Sequence, residues 1–533
     1  MRKNGRLTFF GWFAKITVIL VIGFAMTLVC CAAVLTRPSA SGDRGYSGIL
    51  RIPEYDPPLS GLPNPDSEVR GVWIASVLNI NFPSAAGLSA NELRTELDTI
   101  VENCADVGFN AIYFQVRPSA DSLCKSKYFP VSEFLTGIQG SELPDDFDPF
   151  EYIIKKAHSL DIKVHAWVNP YRVTTGTAEE PQHDINALSL SSPARMNPEW
   201  VVAYDDGRLY FNPGIPEVRE LIAAGVRELT ENYNCDGVVF DDYFYPYPVK
   251  DAVFDDAAQY EQYGGGFDSL ADWRRDNVNQ TVKACYEAVK DVSSYLEFGI
   301  APFGIWQNND GTNGGSDTNG LSSYRDIYCD TLAWVRGGYV DYVAPQLYWA
   351  FSTSVARFDV LSRWWNAQLD GYENVKLLIS HGAYRISDWT DSNELAQQIA
   401  FARSLKNYRG GIMYGYASIA ANERLCWDLL INSYREPLLC DPVVSNGATF
   451  EVVSPKSGTY LTGNGTYVIG NSDPALPLLL DGQPISRTRS GLFSAYFLLK
   501  NGVNTHVFTH NGTDYEYVIN CGVKPASTEN TYA

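Results

Sequence analysis

From Val69 onward the chain repeats one pattern: a short run of β-branched or aromatic residues, a polar loop, then a stretch with apolar residues at helical spacing. The pattern predicts strands over Val69–Ser76, Asn110–Arg117, Lys163–Asn169, Gly237–Asp242, Glu297–Gly304, Tyr342–Trp349, Lys376–Arg385 and Gly411–Ser418. Helices are predicted over Asn91–Val107, Pro149–Leu160, Pro216–Tyr233, Ala271–Ser293, Tyr324–Gly337, Ser354–Leu369, Asn393–Leu405 and Asn422–Tyr434. Eight parallel strands, each followed by a helix, over about 370 residues predict an α/β fold closed as a (β/α)8 TIM barrel. The longer loops follow strands two to five. They lie on the rim formed by the carboxyl ends of the strands, where barrel enzymes carry their chemistry.

Outside this region the pattern changes. After Pro442, short alternating runs (Thr449–Val453, Thr466–Ile469, Leu478–Leu480, Phe493–Leu499, Asn504–Thr509, Tyr515–Ile519) predict a small antiparallel β-sandwich of immunoglobulin type. At the other end, Arg2, Lys3, Arg6 and Lys15 precede an uncharged apolar run from Ile16 to Leu35, long enough to cross a bilayer. The expected organisation is a signal anchor or signal peptide over 1–36, a Pro/Gly/Ser-rich linker over 37–66, the barrel over 67–440 and the β-sandwich over 441–525.

The apolar run exceeds the core of a cleaved signal, which favours an uncleaved anchor with its basic flank in the cytoplasm. The rest of the chain is then expected on the extracellular face of a bacterial envelope, membrane-anchored or secreted. Cys30 and Cys31 leave a lipoprotein reading open, although Leu28-Val29 lacks the small residue expected before a lipidated cysteine.

Charge narrows the partners. With 41 Lys plus Arg against 62 Asp plus Glu, the formal charge of −21 repels polyphosphates, so no nucleic-acid partner is expected. Cys104, Cys124, Cys235, Cys285, Cys329, Cys426, Cys440 and Cys521 are scattered without Cys-x-x-Cys spacing, and no zinc-protease helix or phosphate-binding glycine loop is present. No metal and no cofactor is expected. Aromatic residues reach 13%, enough to line a sugar cleft as well as fill a core.

Polar residues cluster where strands are predicted to end: Gln115-Val-Arg117, Asn169-Pro-Tyr171-Arg172, Asp241-Asp242-Tyr243, Gln346-Leu-Tyr348-Trp349 and Tyr384-Arg385. Alternation along a strand puts Gln115 and Arg117 on one face, and Gln346 and Tyr348 on one face. The apolar run Gly237-Val-Val-Phe240 ending in two carboxylates is the sharpest signal, because adjacent acids repel and one should keep a proton near neutral pH, as a general acid requires.

A glycosidase with an external nucleophile needs two separated carboxyl groups. An adjacent pair suits substrate-assisted cleavage better, in which a 2-acetamido group attacks its own anomeric carbon. Asp241 would orient that amide and Asp242 would act as general acid/base, or the two would exchange these roles. The competing reading pairs Asp241 with Arg172 or Arg117 as a barrel-cap ion pair.

Taken in order, Arg70-Gly-Val-Trp73, Phe114-Gln-Val-Arg-Pro118 with Asp121, His165-Ala-Trp-Val-Asn-Pro-Tyr-Arg172, Asn212-Pro-Gly-Ile-Pro-Glu-Val-Arg219, Asp236-Gly-Val-Val-Phe-Asp-Asp-Tyr-Phe-Tyr-Pro246, Pro302-Phe-Gly-Ile-Trp306 and Ala344-Pro-Gln-Leu-Tyr-Trp349 resemble the family-10-like glycosyl hydrolases. The resemblance covers about residues 66–435. It implies the barrel, glycosidase activity and cell-wall polysaccharide as partner, in particular peptidoglycan strands stripped of stem peptides. It further implies that Arg117 and Asp121 line the sugar cleft, that Asn169, Tyr171 and Arg172 contact hydroxyl or acetamido groups, and that Tyr243, Gln346, Tyr348 and Trp349 form its floor. The alternative function is a non-catalytic envelope protein that binds glycan.

Overall fold

A computed structural model of the protein describes residues 68–434, 447–461, 465–485 and 491–522. The expected signal anchor and linker lie outside the described residues. The barrel strands are β1 (Val69–Ile74), β2 (Ala111–Arg117), β3 (Lys163–Val168), β4 (Gly237–Phe240), β5 (Glu297–Ile300), β6 (Tyr342–Val343, resuming at Gln346–Leu347), β7 (Lys376–Gly382) and β8 (Tyr408–Tyr414). Neighbours pair in parallel from β1 through β8. Pairing of β8 with β1 closes the ring, Val69 opposite Gly410 and Val72 opposite Met413.

Each strand is followed by a helix: α1 (Ala90–Val107), α2 (Pro149–His158), α3 (Pro216–Asn232), α4 (Leu270–Val292), α5 (Thr331–Gly337), α6 (Phe358–Gln368), α7 (Glu394–Arg403) and α8 (Cys426–Ser433). Local chemistry sets the helix ends. Ser89 and Glu92 form a reciprocal capping box at the start of α1, and Gly108 ends it with φ of 92°, a backbone conformation open to glycine. Asp148 caps α2 by accepting from the N–H groups of Phe150 and Glu151, with Pro149 at the first helical position.

Alternation along the strands divides the core in two. Val72, Ile74, Ile112, Phe114, Val238 and Phe240 face the helices, whereas Trp73, Tyr113, Trp167, Val239, Tyr342, Leu378 and Ile412 fill the barrel interior. Glycines make room for the large interior rings. A Cβ on Gly299 would run into the Tyr342 ring, and one on Gly71 would lie 2.7 Å from the ring of Tyr113. Near the amino ends of the strands, Tyr342 hydrogen-bonds to His165 at 3.0 Å, and burial pushes that histidine down to about 4.

Several strands end earlier than expected, β8 running Tyr408–Tyr414 instead of Gly411–Ser418 with Ser418 in a helix over Tyr416–Ala420, and two are irregular. Pro345 lacks an N–H, and β6 is broken around Ala344-Pro345 instead of running from Tyr342 to Trp349. In β2 the register slips between Gln115 and Arg117, a bulge that places Arg117 opposite Val168.

Beyond the barrel, Glu451–Ser454, Gly465–Asn471 and Leu492–Leu498 form an antiparallel sheet. Leu478–Leu480, Gln483–Pro484, Gly502–His510 and Thr513–Cys521 form a second, joined in parallel by Tyr460–Leu461. Val468, Phe493 and Phe497 from the first sheet share a core with Leu478, Phe508, Tyr517 and Ile519 from the second. No helix among the described residues is long and apolar enough to cross a membrane.

Candidate active site

Successive strand residues face opposite sides, so two adjacent acids reach one cavity only if the strand stops beneath them. It does: β4 ends at Phe240, and the chain turns at once, with the Tyr243 N–H donating to Asp241 Oδ1 at 3.2 Å and the Phe244 N–H to the Asp242 carbonyl at 3.1 Å. Both carboxylates line a cavity of about 330 Å³. They are 4% and 3% exposed, respectively. A larger groove, about 520 Å³, lies elsewhere among residues 125–131 and Gly140, Glu142 and Leu143, and contains no acid pair.

Asp241 accepts hydrogen bonds from Trp167 Nε1 at 3.0 Å and from Asn169 Nδ2 at 2.9 and 2.8 Å. Asp242 is bonded by the Tyr247 hydroxyl and by Gln346. Burial, followed by repulsion from Asp242, pushes Asp241 up to about 7. Burial raises Asp242 as well. Buried side by side, the two titrate together, and burial and mutual repulsion oppose ionisation of both.

Aromatic side chains build the walls. Tyr348 and Tyr414 stack at 5.8 Å, and the Tyr384 ring meets both edge-on at 5.8 and 5.6 Å. Trp73 and Trp167 meet edge-on at 5.0 Å, and Phe303 bridges Tyr247 and Trp349. Trp73 Nε1 donates to Ser380 Oγ at 2.9 Å, and the same hydroxyl hydrogen-bonds Tyr348 Oη at 3.0 Å. Arg385 is the cation at this wall, ion-paired with Asp388 at 2.8 Å.

Of the residues singled out in the sequence, Asp241, Asp242, Tyr243, Gln346, Tyr348 and Trp349 line this cavity together. Asn169 lies behind Asp241, and Arg172 donates twice to the Pro118 carbonyl, at 2.9 and 2.5 Å, with its guanidinium 5.2 Å from the Tyr243 ring centroid. Asp241 therefore takes its direct partners from Trp167, Asn169 and the Tyr243 backbone, and the barrel-cap ion pair gives way to that set.

Arg117, Asp121 and Tyr171 do not line the cavity. The expectation that Arg117 shares a face with Gln115 is corrected by the bulge at Val116. It turns Arg117 outward, where the guanidinium lies 4.0 Å from the Phe129 ring centroid and donates to the Gly225 carbonyl at 3.3 Å. Tyr171 is fully buried and donates to or accepts from Thr281 on α4 at 2.8 Å. Asp121 is buried beside Ser132 and Gln139, and burial pushes its carboxyl up to about 6.

Sequence reasoning missed Trp167, Tyr247, Phe303 and Tyr414 as wall residues and Gln115 as a partner of Asn169, and it marked Tyr384-Arg385 as a strand-end polar cluster without giving it a place in the site. Most of these lie one or two residues past an interior-facing strand position, the signal that could have found them. Among the described residues no group of three or more His, Cys, Asp or Glu side chains converges as a metal site. Cys104, Cys124, Cys235, Cys285, Cys329 and Cys426 are buried thiols.

A closed parallel barrel whose carboxyl-end mouth holds a buried acid pair within aromatic walls defines a barrel glycosidase. The chain belongs to the glycosyl hydrolase-like 10 family, which matches residues 68–396. It is 42% identical to glycosyl hydrolase YngK of Bacillus subtilis (strain 168) over 364 residues, 67% of this chain and 70% of that protein. It is 32% identical to glycosyl hydrolase DigH of Escherichia coli (strain K12) over 410 residues, 73% of this chain and 90% of that one. Among solved structures, the PgaB (BpsB) glycoside hydrolase domain from Bordetella bronchiseptica aligns with a TM-score of 0.42 at 15% identity, covering 68% of this chain and 98% of that chain.

Proposed function

We propose that this glycosidase cleaves an acetamido-sugar polymer of the bacterial cell wall, with peptidoglycan strands as the favoured substrate, by substrate-assisted catalysis at Asp241 and Asp242. The observation that carries this reading is the pair itself: two buried acids at neighbouring positions, opening into one cavity, with burial raising both and Asp241 pushed up to about 7. Double displacement needs acid and nucleophile on either side of the scissile bond, and inversion needs a still wider gap. Neighbouring side chains serve neither arrangement well.

Donor chemistry distinguishes the two acids. Trp167 Nε1, Asn169 Nδ2 and the Tyr243 N–H only donate, and all three favour ionised Asp241. Asp242 meets Gln346 and the Tyr247 hydroxyl, and that hydroxyl, which donates to the ionised carboxylate, can turn to accept from the protonated one. In the proposed reaction, ionised Asp241 accepts the N–H of the 2-acetamido group, and the acetamido oxygen attacks the anomeric carbon. The glycosidic C–O bond breaks as its oxygen takes the proton of Asp242. Water then adds to the anomeric carbon, reopening the cyclic intermediate and returning a proton to Asp242. Tyr348, Tyr384 and Tyr414 supply ring faces for pyranose stacking. The apolar run Ile16–Leu35 supports an export signal or anchor and hence a site of action on the extracellular face of the envelope.

Mass spectrometry of products tests this. Purified glycan strands free of stem peptides are expected to yield shortened acetamido-sugar products with retained anomeric configuration, and a glucan without 2-acetamido groups none. Equal cleavage of that glucan would rule out substrate assistance.

A further inference from the structure

A buried series of hydrogen bonds joins the end of β1 to Asp241. Gln115 Oε1 accepts from the backbone N–H groups of Ser76 and Val77, each at 2.9 Å, and Ser76 Oγ donates to the Gln115 carbonyl at 2.7 Å. Gln115 Nε2 donates to Asn169 Oδ1 at 2.7 Å, and Asn169 Nδ2 donates to Asp241. Ser76, Gln115 and Asn169 are at most 1% exposed.

The direction of this series is fixed at its origin. A backbone N–H can only donate, so two of them commit the Gln115 amide oxygen as acceptor and leave its NH2 pointing at Asn169. That commits the Asn169 oxygen in turn and leaves only its NH2 for Asp241. An amide free to flip could offer an oxygen to a protonated Asp241; this one is held against doing so.

We propose that Gln115 is a positioning residue which, by locking the orientation of the Asn169 amide, keeps Asp241 ionised and assigns the shared proton to Asp242. The proposal rests on the substrate-assisted reading above. The other charged and titratable groups around Asp241 are Asp242, Tyr243 and Tyr247 after β4, Arg172 after β3 and Tyr414 at the end of β8. Substitution of Gln115 leaves all of them in place.

The test is the pH profile of kcat/KM for Gln115→Glu and Gln115→Met, with Asp242→Asn in the same assay on acetamido-glycan strands. Glutamate at 115 can only accept from Asn169, so the Asn169 amide turns and presents its oxygen to Asp241. The acid limb, which reports ionisation of Asp241, is expected to move up by at least about one pH unit. Methionine releases the lock without reversing it, and the limb is expected to move in the same direction by less. If the glutamate variant fails to fold, the methionine variant decides alone. Slower hydrolysis with the acid limb unmoved in the folded variants would mean that Gln115 is merely structural and would overturn the proposal. Undiminished hydrolysis by Asp242→Asn would instead remove the catalytic reading on which it rests.

Discussion

A single amide nitrogen, Nδ2 of Asn169, lies within hydrogen-bond distance of both carboxylate oxygens of Asp241, at 2.9 and 2.8 Å. One oxygen also receives the Trp167 indole N–H at 3.0 Å, and the other the Tyr243 backbone N–H at 3.2 Å. The carboxylate is therefore fixed in position and orientation before any substrate arrives, which electrostatic preorganisation requires. Burial makes the same arrangement costly to the fold.

The acid pair as a unit holds a proton more tightly in the folded chain than separate carboxyls do in the unfolded one, Asp241 being pushed up to about 7 from an ordinary value of 3.8. Between these values the folded state binds more protons than the unfolded one, so this group's contribution to stability falls as pH rises through the window. The penalty is absent below about pH 4 and complete above about pH 7. Asp241→Asn removes it, so the variant should match the wild type near pH 4 and gain at least about 1 kcal/mol at pH 8, a rise in Tm of about 2 °C. Thermal melting at both pH values checks this; an equal loss of Tm at both would contradict it.

Tyr247→Phe deletes the hydroxyl partner of Asp242, which acts to lower that carboxyl's pKa. Without it Asp242 should titrate at higher pH. With Asp242 as the proposed general acid, the alkaline limb of kcat/KM should move up while kcat falls about tenfold. A downward move would show that the hydroxyl does not serve the acid.

Tyr171→Phe separates packing from binding. Its hydroxyl meets Thr281 between barrel and helix, away from the cavity. Loss of that bond should cost about 1 kcal/mol of stability in denaturant unfolding and leave KM unchanged. A tenfold rise in KM with the fold intact would return Tyr171 to the substrate site.

Much of this architecture was legible because a barrel strand writes its two faces into the sequence. Val238 and Phe240 face helices, Val239 faces the interior, and the acids appear where the run stops. The eight strand–helix units followed from that periodicity. What the sequence hid was geometry without a compositional mark. The β2 bulge falls at an ordinary Gln-Val-Arg, with no glycine or proline to announce it, and it alone separates the fates of Gln115 and Arg117. Tyr384 stood in a strand-end polar cluster but follows a strand that gives way to a 3-10 turn at Ala383, and Tyr414 closes the last strand outside any such cluster. Their meeting with Tyr348 depends on closure of the ring, a long-range fact.

The central claim is proton transfer from Asp242, and the rate of reducing-end release by Asp242→Asn on purified acetamido-glycan strands tests it most directly. With circular dichroism and Tm showing an intact fold, the rate should fall by about 10²–10⁴-fold, the contribution of a positioned general acid. A rate within about threefold of the wild type would contradict the assignment.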